Sequence, residues 1–277
     1  MRAMNWGQGR RIFSRNSVHN VTLPSTPLIK FCLLLVALFL CGAIPGFAST
    51  QIFQKTYPLP AGGNFLLDNV NGSVQVEGWD RDEVEVYAVK TANNDPQDLD
   101  RVQIEVKNEP GQIAVHTRYP NNEGVEVAVE YHVRVPYRIL LGNIETVNGS
   151  VVVRGIEGSG DLHSVNGNVE VLNSSGRFNA KTTNGDLRLQ LRRLMDGGPM
   201  NLETVNGSVE VGLPSDGHAN LKLLSMNGDL HSDLPVTSAG GSPATHNFRG
   251  RLGTGGGDIS IRTTNGGIRL ILQRPGV

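Results

Sequence analysis

From Ile144 onward, apolar and polar residues alternate in short runs that keep returning to the same dipeptide. Ile144-Glu145-Thr146-Val147-Asn148-Gly149-Ser150-Val151-Val152-Val153 and Leu202-Glu203-Thr204-Val205-Asn206-Gly207-Ser208-Val209-Glu210-Val211 share one pattern: apolar, any, Thr or Ser, any, Asn-Gly, any, apolar, any, apolar. A period of two puts alternate side chains on one face of a strand, so each unit predicts two strands meeting at Asn-Gly. The inward set is the first apolar residue, the hydroxyl residue and the last two apolar residues. Examples are Leu162, Ser164, Val169 and Val171, then Ala180, Thr182, Leu187 and Leu189, then Ile261, Thr263, Ile268 and Leu270.

The dipeptide occurs seven times: Asn71-Gly72, Asn148-Gly149, Asn166-Gly167, Asn184-Gly185, Asn206-Gly207, Asn227-Gly228 and Asn265-Gly266. From Asn148 the steps are 18, 18, 22, 21 and 38 residues, and the last gap has room for one degenerate unit, Gly257-Asp258-Ile259-Ser260-Ile261. Two all-β architectures fit. A β-solenoid, or parallel β-helix-like repeat, would use each Asn-Gly as a stacked corner, with Asn on Asn and Thr or Ser on its like. An antiparallel meander would use each Asn-Gly as a hairpin turn. Near-identical corners at near-fixed period favour the solenoid, because a meander does not need its units alike. Either reading expects Gly149, Gly167, Gly185 and Gly207 at positive φ. It also expects Thr146, Ser164, Thr182, Thr204, Ser225 and Thr263 to point inward and bond the backbone or one another.

Residues 49–141 are β-rich but less regular, and residues 142–277 carry the regular repeat, continuous with them. Val84, Val86 and Ala88, then Val102, Ile104 and Val106, then Val125 to Val135 alternate with polar neighbours. Asn93 to Pro96 and Pro120 to Asn122 read as turns, and Asp98 to Val102 as one helical turn at most. The last strand ends in Leu270-Ile271-Leu272, with too few residues after it for a capping helix. It is expected to leave an open edge where a partner strand or a second copy docks.

The runs Val70-Asn71-Gly72-Ser73-Val74-Gln75-Val76-Glu77-Gly78-Trp79, Thr146 to Val151 and Thr183-Asn184-Gly185-Asp186-Leu187 resemble the bacterial "putative adhesin" family, domain of unknown function 4097. The likeness covers most of residues 50–272. It implies an exported or envelope-attached, solenoid-like domain without known catalytic residues, and some relatives sit in envelope-stress systems. It assigns no functional residue here.

Composition changes the picture mainly at the front. Residues 1–48 carry Arg2, Arg10, Arg11, Arg15 and Lys30 and no acid, then the apolar run Phe31 to Cys41, then small residues at Gly46 and Ala48. That order is a secretory signal cleaved after Ala48; an uncleaved anchor, which would tie the chain to a membrane, is the alternative. The expected location is periplasm, cell envelope or outside the cell. Taking those five positive charges from the net −1 leaves the remainder at −6, a poor charge for nucleic acid. Both cysteines, Cys32 and Cys41, fall in the leader, so disulfides and thiol chemistry are not expected in the mature chain. Cys41 follows Leu38 as a lipid-attachment cysteine would, but Leu40 is bulky for that signal.

No serine-nucleophile elbow is present, and His116, His132, His163, His218, His231 and His246 show no ligand spacing. Glu145 and Glu203 can share a column, but His163 and Lys181 fall between them, which reads as solvated mixed charge rather than a sugar-cleaving pair. Gly253-Thr254-Gly255-Gly256-Gly257-Asp258 resembles one calcium-binding nonapeptide, and one copy is not a site. No cofactor, metal or catalytic residue is expected. The leading reading is a non-enzymatic structural, adhesion-like or binding scaffold of the cell envelope, its partner an unidentified envelope protein or glycan. A polysaccharide-active enzyme and an envelope-stress sensor are the alternatives.

Overall fold

The computed structural model describes residues 49–120, 124–194, 198–242 and 246–273. The leader with Cys32 and Cys41, Asn121-Asn122 and residues 274–277 lie outside the described residues. Within them the protein is all-β, apart from one helical turn, Asp98–Arg101.

Each Asn-Gly separates two strands. β2 (Asn64–Asp68) and β3 (Val74–Trp79) flank Asn71-Gly72, and β8 (Arg138–Asn148) and β9 (Val151–Arg154) flank Asn148-Gly149. β10 (Glu157–Asn166) enters the next corner, and β11 (Val169–Asn184) runs from there to Asn184-Gly185. β12 (Leu187–Leu194), β13 (Met200–Asn206) with β14 (Val209–Leu213), β15 (Ala219–Asn227) with β16 (Leu230–Ser232), and β19 (Gly257–Asn265) with β20 (Ile268–Leu272) complete the units.

Among the described residues, strands joined by an Asn-Gly pair not with each other but in parallel with their counterparts in other units. With β6 (Gln112–Arg118) and β7 (Val127–Pro136), the first ladder runs β6, β2, β8, β10, β11, β13, β19, β15. The second runs β7, β3, β9, β11, β12, β14, β20, β16. The hairpins of the meander reading therefore do not form. Parallel neighbours need a long crossover, and here the intervening strand of the other ladder supplies it. β11 serves both ladders, bending at Asn173, whose φ is 50°.

Both ladders close on one apolar core running from Leu59 to Leu270, continuous across residue 141; the apolar members of the expected inward sets lie in it, and their hydroxyl residues are buried too. Burial of this core is the main favourable term. At one end β4 (Glu83–Ala92) and β1 (Ser49–Pro58) add antiparallel to β7, and β5 (Gln103–Glu109) to β6. Buried Lys90 donates from Nζ to the carbonyls of Leu99 (2.7 Å) and Val102 (2.8 Å), fixing the helical turn on β4. Burial lowers its pKa.

The other end departs from chain order. The Asn265 unit inserts between the units of Asn206 and Asn227. Gly257 to Ile261 is thus the first half of β19, not a further unit. The extra length of the gap forms a hairpin, β17 (Val236–Ser242) and β18 (Asn247–Leu252), with β18 antiparallel on β15. The expected open edge is corrected too: β20 pairs with β14 on one side and β16 on the other. Leu270 is fully buried, Ile271 half-buried, and Leu272 exposed at the strand's end.

The corner glycines are a third correction. None of Gly149, Gly167, Gly185 and Gly207 lies in the left-handed region. They are needed because rungs approach too closely for a side chain. A Cβ on Gly167 would stand 2.0 Å from the Gly149 carbonyl oxygen, and one on Gly207 2.0 Å from that of Gly185. Gly207→Ala should therefore destabilise by about 1–3 kcal/mol, the usual cost of overpacking. Thermal unfolding checks this; an unchanged melting temperature contradicts the close approach.

Candidate functional site

The structure brings all seven Asn-Gly pairs into one column, ordered Asn71, Asn148, Asn166, Asn184, Asn206, Asn265, Asn227. Three kinds of bond join successive rungs. Each asparagine donates from Nδ2 to the Oδ1 of the one before it in that order, at 2.8–2.9 Å. The N–H groups of Gly72, Gly149, Gly167, Gly185, Gly207 and Gly266 donate to the backbone carbonyl of the asparagine one rung on. Beneath these, the hydroxyls of Thr146, Ser164, Thr182, Thr204, Thr263 and Ser225 donate to the glycine carbonyls of Gly72, Gly149, Gly167, Gly185, Gly207 and Gly266, at 2.8–3.0 Å. All six hydroxyl residues are buried. Where the first unit has no hydroxyl, Asn69 takes the place, donating to the Val129 carbonyl at 3.0 Å.

Most of the remaining charged candidates fall in one row of the first ladder. Glu145, His163, Lys181 and Glu203 follow one another across the first ladder, and Lys181 pairs with Glu203 at 3.6 Å. Asp68 stands next to Glu145 in the same column. Desolvation, then the charge of Glu145, raises the Asp68 pKa, with His116 (3.7 Å) opposing. In the glycine-rich loop the Thr254 N–H and hydroxyl contact His218 Nδ1, and the Asp258 carboxylate accepts from Asn220. Its glycines thus shape a turn around a histidine.

The second ladder carries a feature the sequence did not disclose. On its outer face β1, β4, β7, β3 and β9 form a groove of about 380 Å³. Gln54, Tyr87, His132, Gln75 and Val152 stand side by side across these strands. Two residues along, Glu85, Arg134, Glu77 and Arg154 form a parallel row of alternating charge. Arg134 is held by Glu85 (3.0 Å) and by the Trp79 ring, 5.1 Å from its centre. Gln54 also donates to Glu85, at 2.9 Å. These residues come from positions 54 to 154, so no local motif could have found them.

The chain is thus an all-β protein of Asn-Gly units registered in parallel. It belongs to the Toastrack DUF4097 family, matching over residues 68–270. No curated protein matches it. Among solved structures, it resembles a "putative cell adhesion protein" of Clostridium sporogenes at 12% identity and a TM-score of 0.45, over 80% of this chain and 100% of that one. It also resembles a "putative adhesin" of Bacteroides fragilis at 12% identity and a TM-score of 0.38, over 83% and 100%. A "putative lipid binding protein" of Parabacteroides distasonis follows at 8% identity and a TM-score of 0.29, over 80% and 97%.

Two outcomes are expected. Thr182→Val leaves the Gly167 carbonyl without its buried donor and should cost about 1–3 kcal/mol. Thr183→Val, one residue on and facing outward, should stay within about 0.5 kcal/mol. Equal melting temperatures for the two would remove the hydroxyl ladder's role. Because the folded pKa of Asp68 is raised, its ionised form opposes folding above the ordinary carboxylate range. Asp68→Asn should therefore stabilise the protein at neutral pH, with the gain vanishing in acid, as urea unfolding at several pH values would show.

Proposed function

We propose that this chain is exported to the cell envelope and acts there as a non-enzymatic scaffold, a β-solenoid whose Asn-Gly corners hold extended faces for binding. The observation that carries this reading is the corner column. Its asparagines, glycines and hydroxyls bond one another in rung after rung, so the recurring motif serves rigidity. Of the carboxylates on the first ladder's face, Glu145 and Glu203 support the same reading, since a histidine and a lysine stand between them. The lysine pairs with one, Glu203. The leader, basic and then apolar and then small, supports export.

Expression in a bacterium with a C-terminal tag, followed by fractionation and N-terminal sequencing, tests the location. The expected product lies outside the cytoplasm and begins at Ser49; a full-length cytoplasmic product contradicts export. Release of new reducing ends from envelope glycans by the purified protein, lost when one surface carboxylate pair is neutralised, would overturn the scaffold reading.

A further inference from the structure

We propose that the groove on the outer face of the second ladder binds an uncharged, extended β-linked polysaccharide laid across the strands. The proposal deepens the scaffold reading and rests on it.

The lining selects the ligand. Glu77, Glu85, Arg134 and Arg154 sum to no net charge, and they alternate in sign across the groove. A polyanion laid there would meet both carboxylates, and a polycation both guanidinium groups. A hydroxyl both donates and accepts, so a row of hydroxyls meets a partner at every step of such a lining. The amides of Gln54 and Gln75 add donors and acceptors in the adjoining row. Between them Tyr87 is half-buried and inclined to His132 at 53°, ring centres 6.3 Å apart. An aromatic wall beside fixed polar groups suits a pyranose ring, which is apolar across its C–H face and polar at its rim. Arg134 is already anchored by Glu85 and Trp79, so binding does not have to order it.

Spacing sets the direction. Neighbouring strands lie ~4.8 Å apart, close to the advance of one sugar in an extended β-linked chain. Glu85 and Glu77 lie two strands apart, as do Arg134 and Arg154, so the lining repeats once per disaccharide. The row of amides and aromatic rings also ends. Beyond Val152 it gives way to Glu170, Arg188, Glu210 and Arg269, where Arg188 and Glu210 pair at 3.3 Å.

Affinity electrophoresis of the purified protein tests this. Native gels would contain hydroxyethyl cellulose, glycol chitin or galactomannan as neutral polymers, and alginate or glycol chitosan as charged ones. The expected result is retardation by at least one neutral polymer, lost in Arg154→Ala and Tyr87→Ala and kept in Tyr87→Phe. Melting temperatures identify any variant that fails to fold, and exposed Arg154 keeps the test decisive if Tyr87→Ala does. Retardation by no neutral polymer, by charged polymers alone, or undiminished in Arg154→Ala overturns the proposal and leaves the scaffold reading standing. Shortening of a retarding polymer would instead overturn the scaffold reading and leave the groove.

Discussion

In the six corners that another rung follows, the carbonyl oxygen of the glycine sets the geometry of the stack. It accepts the hydroxyl of the next rung, and that rung's glycine packs against it so closely that any Cβ would collide. Hydroxyl and glycine are therefore two halves of one contact. The hydroxyl fills the acceptor's need inside the protein, where an unmet carbonyl is costly. The missing side chain lets the rungs come near enough for that bond. With this contact in place the asparagine amides fall into register at the surface, and the apolar residues on either side line up in the core. At Asn69 both partners change, an amide donating to the Val129 carbonyl, and the bond is kept.

Much of this was readable in the chain. The alternation around each Asn-Gly correctly picked the residues that face inward, including the hydroxyls. The role of glycine was misread, because a requirement for positive φ and a requirement for close approach both select glycine, and sequence alone does not separate them. Rung order was misread for a related reason. Identical rungs fit one another in any order, so nothing in the motif shows that Asn265 stacks between Asn206 and Asn227. The hairpin of β17 and β18 covers β15 and leaves its other edge for β19, and that contact lies far from the motif.

The groove was illegible for a different reason. Its residues are ordinary polar strand positions, and only the parallel register brings Gln75 beside His132 and Glu77 beside Arg134. Stacking turns the outward positions into long rows, and a row gains a preference only where its composition changes. That change comes at Val152, where a row of amides and aromatic rings gives way to one of carboxylates and guanidinium groups. A rigid frame matters here because a rigid row keeps its spacing, and spacing is what an extended ligand reads.

If the corners hold the stack, their amides open only when the protein unfolds. Native-state hydrogen exchange measures this directly at Gly149, Gly167, Gly185 and Gly207, whose N–H groups bond the next rung at a surface turn. These four amides should exchange as slowly as those of the buried strands, far more slowly than that of Gly111 in an ordinary hairpin turn. Exchange at the Gly111 rate, with the strands still protected, would show that the core holds the stack and the corners merely follow.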